Sequence, residues 1–336
     1  MRPLFLNLVS GSVAAVLLVA LSVAALNSVD GPEPARQVAE PARALGVRPF
    51  GVYVDPWHLD DWARKVGAAP QLVAKFESFS QNRTIGGFLA EAKRQGVRRV
   101  MVSWEPWRPV PISMGAVAQF RPQLGYRNID IARGAQDAYI RRFAAGLATF
   151  PGQIDVRWAH EMNGQWYPWS WDARAYRRAW RRIVRLFDEA GARNVRFVWS
   201  VNPNLYQSPR IWRKVTRLYW PGDRYVDEVG MTMIDFGGKK DYRVARFAPR
   251  LADLRRIYRK PIVLTEVNTD YRGRVRWLRD LRRLLRRTLG LSAVFWSQLP
   301  SRGTAHLADA GWLDWDVQRD PRAAAVLRGI VRDGGA

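Results

Sequence analysis

Residues 154–169 read Ile154-Asp155-Val156-Arg157-Trp158-Ala159-His160-Glu161-Met162-Asn163-Gly164-Gln165-Trp166-Tyr167-Pro168-Trp169. The run from Ile154 to Ala159 has the look of a buried segment, and it delivers a carboxylate, Glu161, between His160 and Asn163. A glycine turn and three aromatic residues follow. A core-like stretch that stops abruptly in Glu, Asn, Gly and Trp reads as the end of a β-strand opening into a binding site. A carboxylate there can donate a proton, and tryptophan faces can stack on sugar rings. Residues 261–268, Pro261-Ile262-Val263-Leu264-Thr265-Glu266-Val267-Asn268, repeat the arrangement with an apolar strand ending in Glu266. Two carboxylates presented in this way are what cleavage of a glycosidic bond requires.

Working outward, further strand-like runs fall at 50–55, 72–76, 99–104, 195–201, 226–234 and 292–297. With 154–160 and 262–266 they make eight, mostly continuous apolar runs of the kind that helices cover on a parallel sheet. Helical patterns lie between them, at about 88–95, 130–150, 173–190, 247–258 and 274–289. This alternation predicts an α/β protein, a single (β/α)8 TIM barrel over residues 48–336. Chemistry in that fold sits at the C-terminal ends of the strands. Here those ends carry Asp55, Glu77, Trp104-Glu105, His160-Glu161, Ser200 and Asn202, Asp235, Glu266, and Trp296 to Gln298. A doubly wound sheet would bring fewer strands and a phosphate-binding turn, and neither is present.

Composition narrows the chemistry. A chain of 336 residues with 48% hydrophobic content and 16 Trp can build a sizeable core. It has no Cys and only His58, His160 and His306, which argues against disulfides, thiolate metal sites and a multi-His metal centre. Neither a P-loop nor a dinucleotide fingerprint occurs. The expectation is no metal and no organic cofactor. At the N-terminus, Arg2 precedes an apolar stretch at 13–26, so residues 1–29 read as a signal peptide or a membrane anchor. Residues 30–47 read as a linker, and the body is expected in the cell envelope or outside the cell. The net charge is +24. Its densest sets, Arg177-Arg178, Arg181-Arg182, Arg282-Arg283 and Arg286-Arg287, accompany helical apolar patterns (Tyr176, Trp180, Ile183, Phe187; Leu278, Leu281, Leu285, Leu289). They therefore fall on solvated faces. The alternative is attraction to an anionic membrane or envelope surface. No nucleic-acid partner is expected, since no recognition motif accompanies the charge.

On these residues the sequence resembles glycoside hydrolase family 26, the family of retaining β-mannanases and related β-glucan hydrolases. Four pieces carry the likeness: 157–164 with Trp166 following, Trp104-Glu105-Pro106-Trp107, Trp199-Ser200-Val201-Asn202-Pro203, and Leu264-Thr265-Glu266. The resemblance implies Glu161 as acid/base and Glu266 as nucleophile, about 5–5.5 Å apart as a covalent glycosyl intermediate requires. It also implies that His160 helps to bind the sugar at the cleavage point. Trp166 and Trp296 would be stacking walls, with Asn202 and Trp104 as further positioning residues. Glu161 taken alone also reads as a structural partner of Arg157, and Glu105 reads either as hydrogen-bonding support for the site or as a residue without a role. One feature departs from the family. A tyrosine near the end of strand six usually hydrogen-bonds the nucleophile, and here Ile234 or Asp235 falls at that place, with Tyr206 a substitute from a neighbouring loop. The expected activity is endo-hydrolysis of a β-1,4-linked polysaccharide, mannan first and β-glucan or xylan next. The alternatives are a weakly active or inactive glycan-binding protein of the cell surface and a factor that trims an envelope polysaccharide.

Overall fold

Eight parallel strands close on one another in chain order, β1 pairing with both β2 and β8. They are β1 (Phe50–Tyr53), β2 (Leu72–Ser78), β3 (Arg99–Glu105), β4 (Gln153–Trp158), β5 (Val195–Val201), β6 (Glu228–Asp235), β7 (Ile262–Thr269) and β8 (Leu291–Trp296). Around them, among the described residues, lie α1 (Leu59–Val66), α2 (Arg83–Arg94), α3 (Asn128–Ala132), α4 (Asp137–Ala148), α5 (Ala173–Glu189), α6 (Pro209–Tyr219), α7 (Val244–Tyr258), α8 (Arg274–Arg287) and α9 (Pro321–Gly335). This is the expected (β/α)8 barrel. The computed structural model describes residues 49–80, 83–108, 121–236, 242–269, 273–288, 290–298 and 316–335. The expected signal or anchor, the linker and His306 lie outside them.

The single helix expected over 130–150 is two helices. Gly134 takes φ 97° between them, a left-handed turn that a continuing helix does not tolerate. Helices α1, α6 and α9 are additional to the helical patterns read from the sequence. Helix α6 buries only Trp212, Thr216 and Tyr219 among several basic residues, so its apolar stripe is thin. Its start is nonetheless encoded: Ser208 accepts a hydrogen bond from the Ile211 N–H, and Pro209 occupies the first turn.

Strand alternation sorts β3 and β4 between two cores. Val100, Val102 and Trp104 face the helices, whereas Arg99, Met101, Ser103 and Glu105 share the opposite face. The charged residues inside the 154–159 run, Asp155 and Arg157, belong to this inner face, which explains why a strand with a buried outer side also carries charge. The inside of the barrel is layered. At the strand starts, Arg99 bridges Asp155 (2.6 Å) and Glu228 (2.8 Å), and Ser292 donates to Glu228 (2.9 Å). An apolar tier of Leu72, Ala74, Met101, Val198, Val263, Ala293 and Phe295 follows. The functional groups sit above it. Outside, the arginines of α5 and α8 clamp neighbouring elements. Arg182 and Arg282 pair with Asp137 and Asp333 (2.7 Å each), and Arg181 caps the Pro221 carbonyl (2.8 Å).

Candidate active site

Beyond Trp158 the β4 chain keeps its neighbours. Ala159 donates its N–H to the Trp104 carbonyl (3.0 Å) on one side, and Glu161 donates to the Ser200 carbonyl (2.8 Å) on the other. Both residues are left-handed, with φ 44° and 53°. That conformation costs a non-glycine residue roughly 1–2 kcal/mol, and it persists because two flanking strands hold the backbone. Gly164 then closes the turn by donating to the Glu161 carbonyl (2.9 Å). A Cβ on Gly164 would meet the Trp166 indole at 2.6 Å, so the glycine is what lets that ring lie across the turn.

Glu161 is fixed from β5. Its Oε1 accepts from Asn202 Nδ2 (3.0 Å). Asn202 is held in turn by Asn163, which donates to its carbonyl and accepts from its N–H (2.8 Å each). A second donor to that carbonyl is the Trp212 indole (2.9 Å).

Glu266 reaches the interior through an irregularity in β7. Its ladder with β6 shifts between Met231 and Thr232, and its ladder with β8 shifts between Leu264 and Val267. One extra residue in β7 lets two consecutive side chains turn inward. Thr265 Oγ1 meets Ser200 Oγ at 2.9 Å, and Glu266 Oε1 accepts from Arg157 Nη1 at 2.6 Å. Gly230 makes the room, since a Cβ there would lie 2.7 Å from the Thr265 methyl and 2.8 Å from Ser200 Cβ.

Arg157 is the centre of the constellation. Its Nη1 also donates to Ser103 Oγ (3.1 Å), its Nη2 donates to Thr232 Oγ1 (3.2 Å), and Tyr53 OH lies 2.9 Å from Ser103 Oγ. The side chain is fully buried. Burial pushes the Glu266 carboxyl above its ordinary value and the charge of Glu161 adds to this, while Arg157 opposes both. Burial, reinforced by Arg157, holds the His160 imidazole well below its usual range, so the ring is neutral at pH 7. His160 is enclosed by the edges of Phe76, Tyr167 and Trp169, and its Nε2 lies 3.1 Å from Tyr167 OH.

The structure thus brings Glu161, Glu266, His160 and Asn202 together, and it leaves Trp166 at the rim with 39% of its surface exposed. Three expectations are corrected. Trp104 is no site residue. It faces the helix layer, stacked on Phe79 (4.4 Å) and Phe143 (4.5 Å), and donates to Tyr139 OH. Trp296 is fully buried with its indole on Gln298 Oε1 (3.1 Å), so it offers no open stacking face. Tyr206 does not replace the strand-six tyrosine: it is 55% exposed beside Tyr242 and Arg246. Thr232 is the β6 residue that meets the Arg157 cluster, while Asp235 accepts from Thr269 (3.2 Å). The reading of Glu161 as a partner of Arg157 gives way to the Arg157–Glu266 pair. Sequence reasoning gave Arg157 only as a structural partner of Glu161 and assigned no role to Ser103, Thr232 or Tyr53. The one signal was an arginine inside a core-like strand, at an inward position.

These placements separate two tryptophans by experiment. Trp104→Ala is expected to cost about 3–5 kcal/mol of stability with little change in glycan affinity. Trp166→Ala is expected to leave the urea midpoint within error and to weaken glycan binding about tenfold, as loss of one stacking contact implies. Titration calorimetry and urea unfolding of both variants check this.

The closed barrel presents two buried carboxylates, Glu161 and Glu266, at the ends of its fourth and seventh strands. The model of the family described as Glycosyl hydrolase family 26 matches residues 139–260, a span that contains Glu161 and stops short of Glu266. The chain is 27% identical over 258 residues to Endoglucanase H of Acetivibrio thermocellus, covering 70% of this chain and 25% of that protein. It is 28% identical over 104 residues to Beta-1,3-xylanase TXYA of a Vibrio species, covering 31% and 21%. The chain spans about a quarter or less of the length of these relatives. In fold it is similar to a GH26 beta-mannanase from Bacteroides ovatus, with a TM-score of 0.62 and 18% identity over 86% of this chain and 90% of that one. Over residues 139–260 the chain is similar to glycoside hydrolase family 26.

Proposed function

We propose that the protein is an exported retaining endo-β-glycosidase that cuts a β-linked polysaccharide, with β-1,4-mannan first and β-glucan or xylan next. The observation that carries the reading is the pair of buried carboxylates in different surroundings, Glu161 on a neutral amide and Glu266 on a guanidinium. Such a difference suits an acid and a nucleophile. In the first step the Glu266 oxygen not engaged by Arg157 attacks the anomeric carbon. The glycosidic C–O bond breaks, and the Glu161 proton passes to the leaving oxygen. In the second, Glu161 takes a proton from water, the water oxygen bonds to the anomeric carbon, and the ester to Glu266 breaks. The exposed Trp166 at the rim suits a sugar beyond the cleavage point.

Support for the substrate range comes from what the relatives are named for: an endoglucanase and a β-1,3-xylanase among sequences, and mannanases among structures. Support for export is the apolar N-terminal stretch, and an attraction of the basic surface to anionic envelope material belongs to the same proposal. The test is incubation with mannan, glucomannan, mixed-linkage glucan and xylan, with products followed by mass spectrometry and the first-formed anomer by NMR. Release of oligosaccharides of retained configuration is the expected result. A folded protein that binds these polymers and cuts none would instead establish the glycan-binding alternative, which the missing strand-six tyrosine favours. Envelope polymer that accumulates uncut in a deletion strain would point to the trimming role.

A further inference from the structure

A third carboxyl belongs to this site, and neither the acid nor the nucleophile role uses it. Glu105 ends β3, two residues beyond Ser103 on the same inner face, so it stands about 6.6 Å further toward the strand ends than the hydroxyl that meets Arg157. Its Oε2 accepts from the Trp107 indole N–H at 3.0 Å. Trp107 is rigidly placed, with its ring edge-on to Trp169 (5.2 Å) and Tyr167 (5.9 Å). Tyr167 in turn reaches His160 with its hydroxyl. No salt bridge holds Glu105 among the described residues, because the nearby arginine is committed to Glu266.

We propose that the Glu105 carboxyl donates a hydrogen bond to a hydroxyl of the sugar ring seated between Glu161 and Glu266, and so positions that ring for attack. The inference rests on the glycosidase reading and names a positioning residue for it. To donate, the group must carry a proton, and its surroundings favour that. Burial raises its pKa to about 8, the charge of Glu266 on β7 adds to the rise, and the Trp107 bond and Arg157 on β4 oppose it. Tyr167, which is in electrostatic contact with Glu105, is itself raised well above its ordinary value by burial and stays neutral. A neutral carboxylic acid offers one O–H donor while its other oxygen keeps the Trp107 bond. A carboxylate offers none. Ionisation above pH 8 would therefore remove the donor and add a second negative charge beside Glu266.

The test separates this role from turnover by using Glu161→Gln to block hydrolysis. Mannotriose and cellotriose binding is measured by calorimetry at pH 6 and pH 9 in Glu161→Gln and in Glu161→Gln/Glu105→Gln. Infrared difference spectra of the wild type against Glu105→Gln are recorded over the same range. The expected results are a carboxylic-acid carbonyl band that belongs to Glu105 and fades near pH 8, and binding that weakens about tenfold by pH 9. In the Glu105→Gln background, whose amide stays a neutral donor, binding should be independent of pH. A carboxylate band at pH 6, or the same pH dependence of binding in both backgrounds, overturns the proposal while leaving the glycosidase reading intact. Absence of binding to either sugar at pH 6 overturns both, provided the wild type also releases nothing from the polymers.

Discussion

Glu266→Gln is expected to lower oligosaccharide release by roughly four orders of magnitude, as loss of a catalytic nucleophile does, while glycan binding and the unfolding midpoint change little. Gln suits this position better than Ala. Its amide oxygen still accepts from Arg157 Nη1, whereas truncation would leave a fully buried guanidinium facing a void. Glu161→Ala is expected to cost about 10²–10⁴ on polysaccharide, because the leaving oxygen then departs unprotonated. On aryl glycosides with acidic leaving groups the loss should be far smaller in the first step. The glycosyl-enzyme then accumulates, and added azide should restore turnover and give a glycosyl azide of retained configuration. Kinetics with both substrate types, with and without azide, separate the two residues. If Glu266→Gln turned over as fast as the wild type, or if azide gave the inverted product, the assignment of roles would fail.

Much of this arrangement can be read from the chain, for physical reasons. Parallel strands buried on both faces must be apolar along their length, so all eight showed as runs in the right order. Strand ends must turn polar where they meet substrate, so Glu161 and Glu266 were findable from the change of composition, while the family resemblance pointed to His160 and Asn202. The identity of Glu266 as an inward residue was not. Simple alternation puts Thr265 and Glu266 on opposite faces, and only the extra residue in β7, opposite both β6 and β8, turns the two inward. Trp104 failed for the complementary reason. It sits next to the site in sequence, but it lies one residue off the inner face, so its ring went to Phe79 and Phe143 in the helix layer. The partners of Arg157 come from β3, β6 and β7, up to 109 residues away, and no local pattern encodes such a meeting. Buried tryptophans carry a similar lesson. Trp158 and Trp199 are fully enclosed in the helix layer, so the abundance of Trp reports on packing as much as on sugar binding.

Arg157→Met should reveal what the buried guanidinium does for Glu266. In this chain Arg157 takes the Glu266 carboxyl by one oxygen, and Ser103 and Thr232 fix the direction of the guanidinium. Removing it breaks a buried pair by deleting one partner, which typically costs about 3–5 kcal/mol. It also changes the pH behaviour in a direction that can be worked out. Burial already raises the Glu266 carboxyl and Arg157 opposes the rise, so without the arginine Glu266 holds its proton to still higher pH. A nucleophile must be ionised, hence the acid limb of kcat/KM should move to higher pH. Stability follows the same linkage. A group whose folded pKa lies above its unfolded value stabilises fully below the unfolded value, about 4.3 for Glu, and loses that contribution as pH rises through the folded one. The deficit of Arg157→Met relative to the wild type should therefore be smaller at pH 4 than at pH 7, as urea unfolding at the two pH values would show. Arg157→Lys keeps the charge but not the planar fork, and a single ammonium cannot reproduce the guanidinium's geometry toward Ser103, Thr232 and Glu266 together. Its acid limb should stay near that of the wild type while kcat falls. The double variant Arg157→Met/Glu266→Gln, which has no charge left to strand, should recover part of the lost stability. An acid limb that does not move in Arg157→Met, with a stability deficit independent of pH, would mean that Arg157 fills space without setting the charge of Glu266.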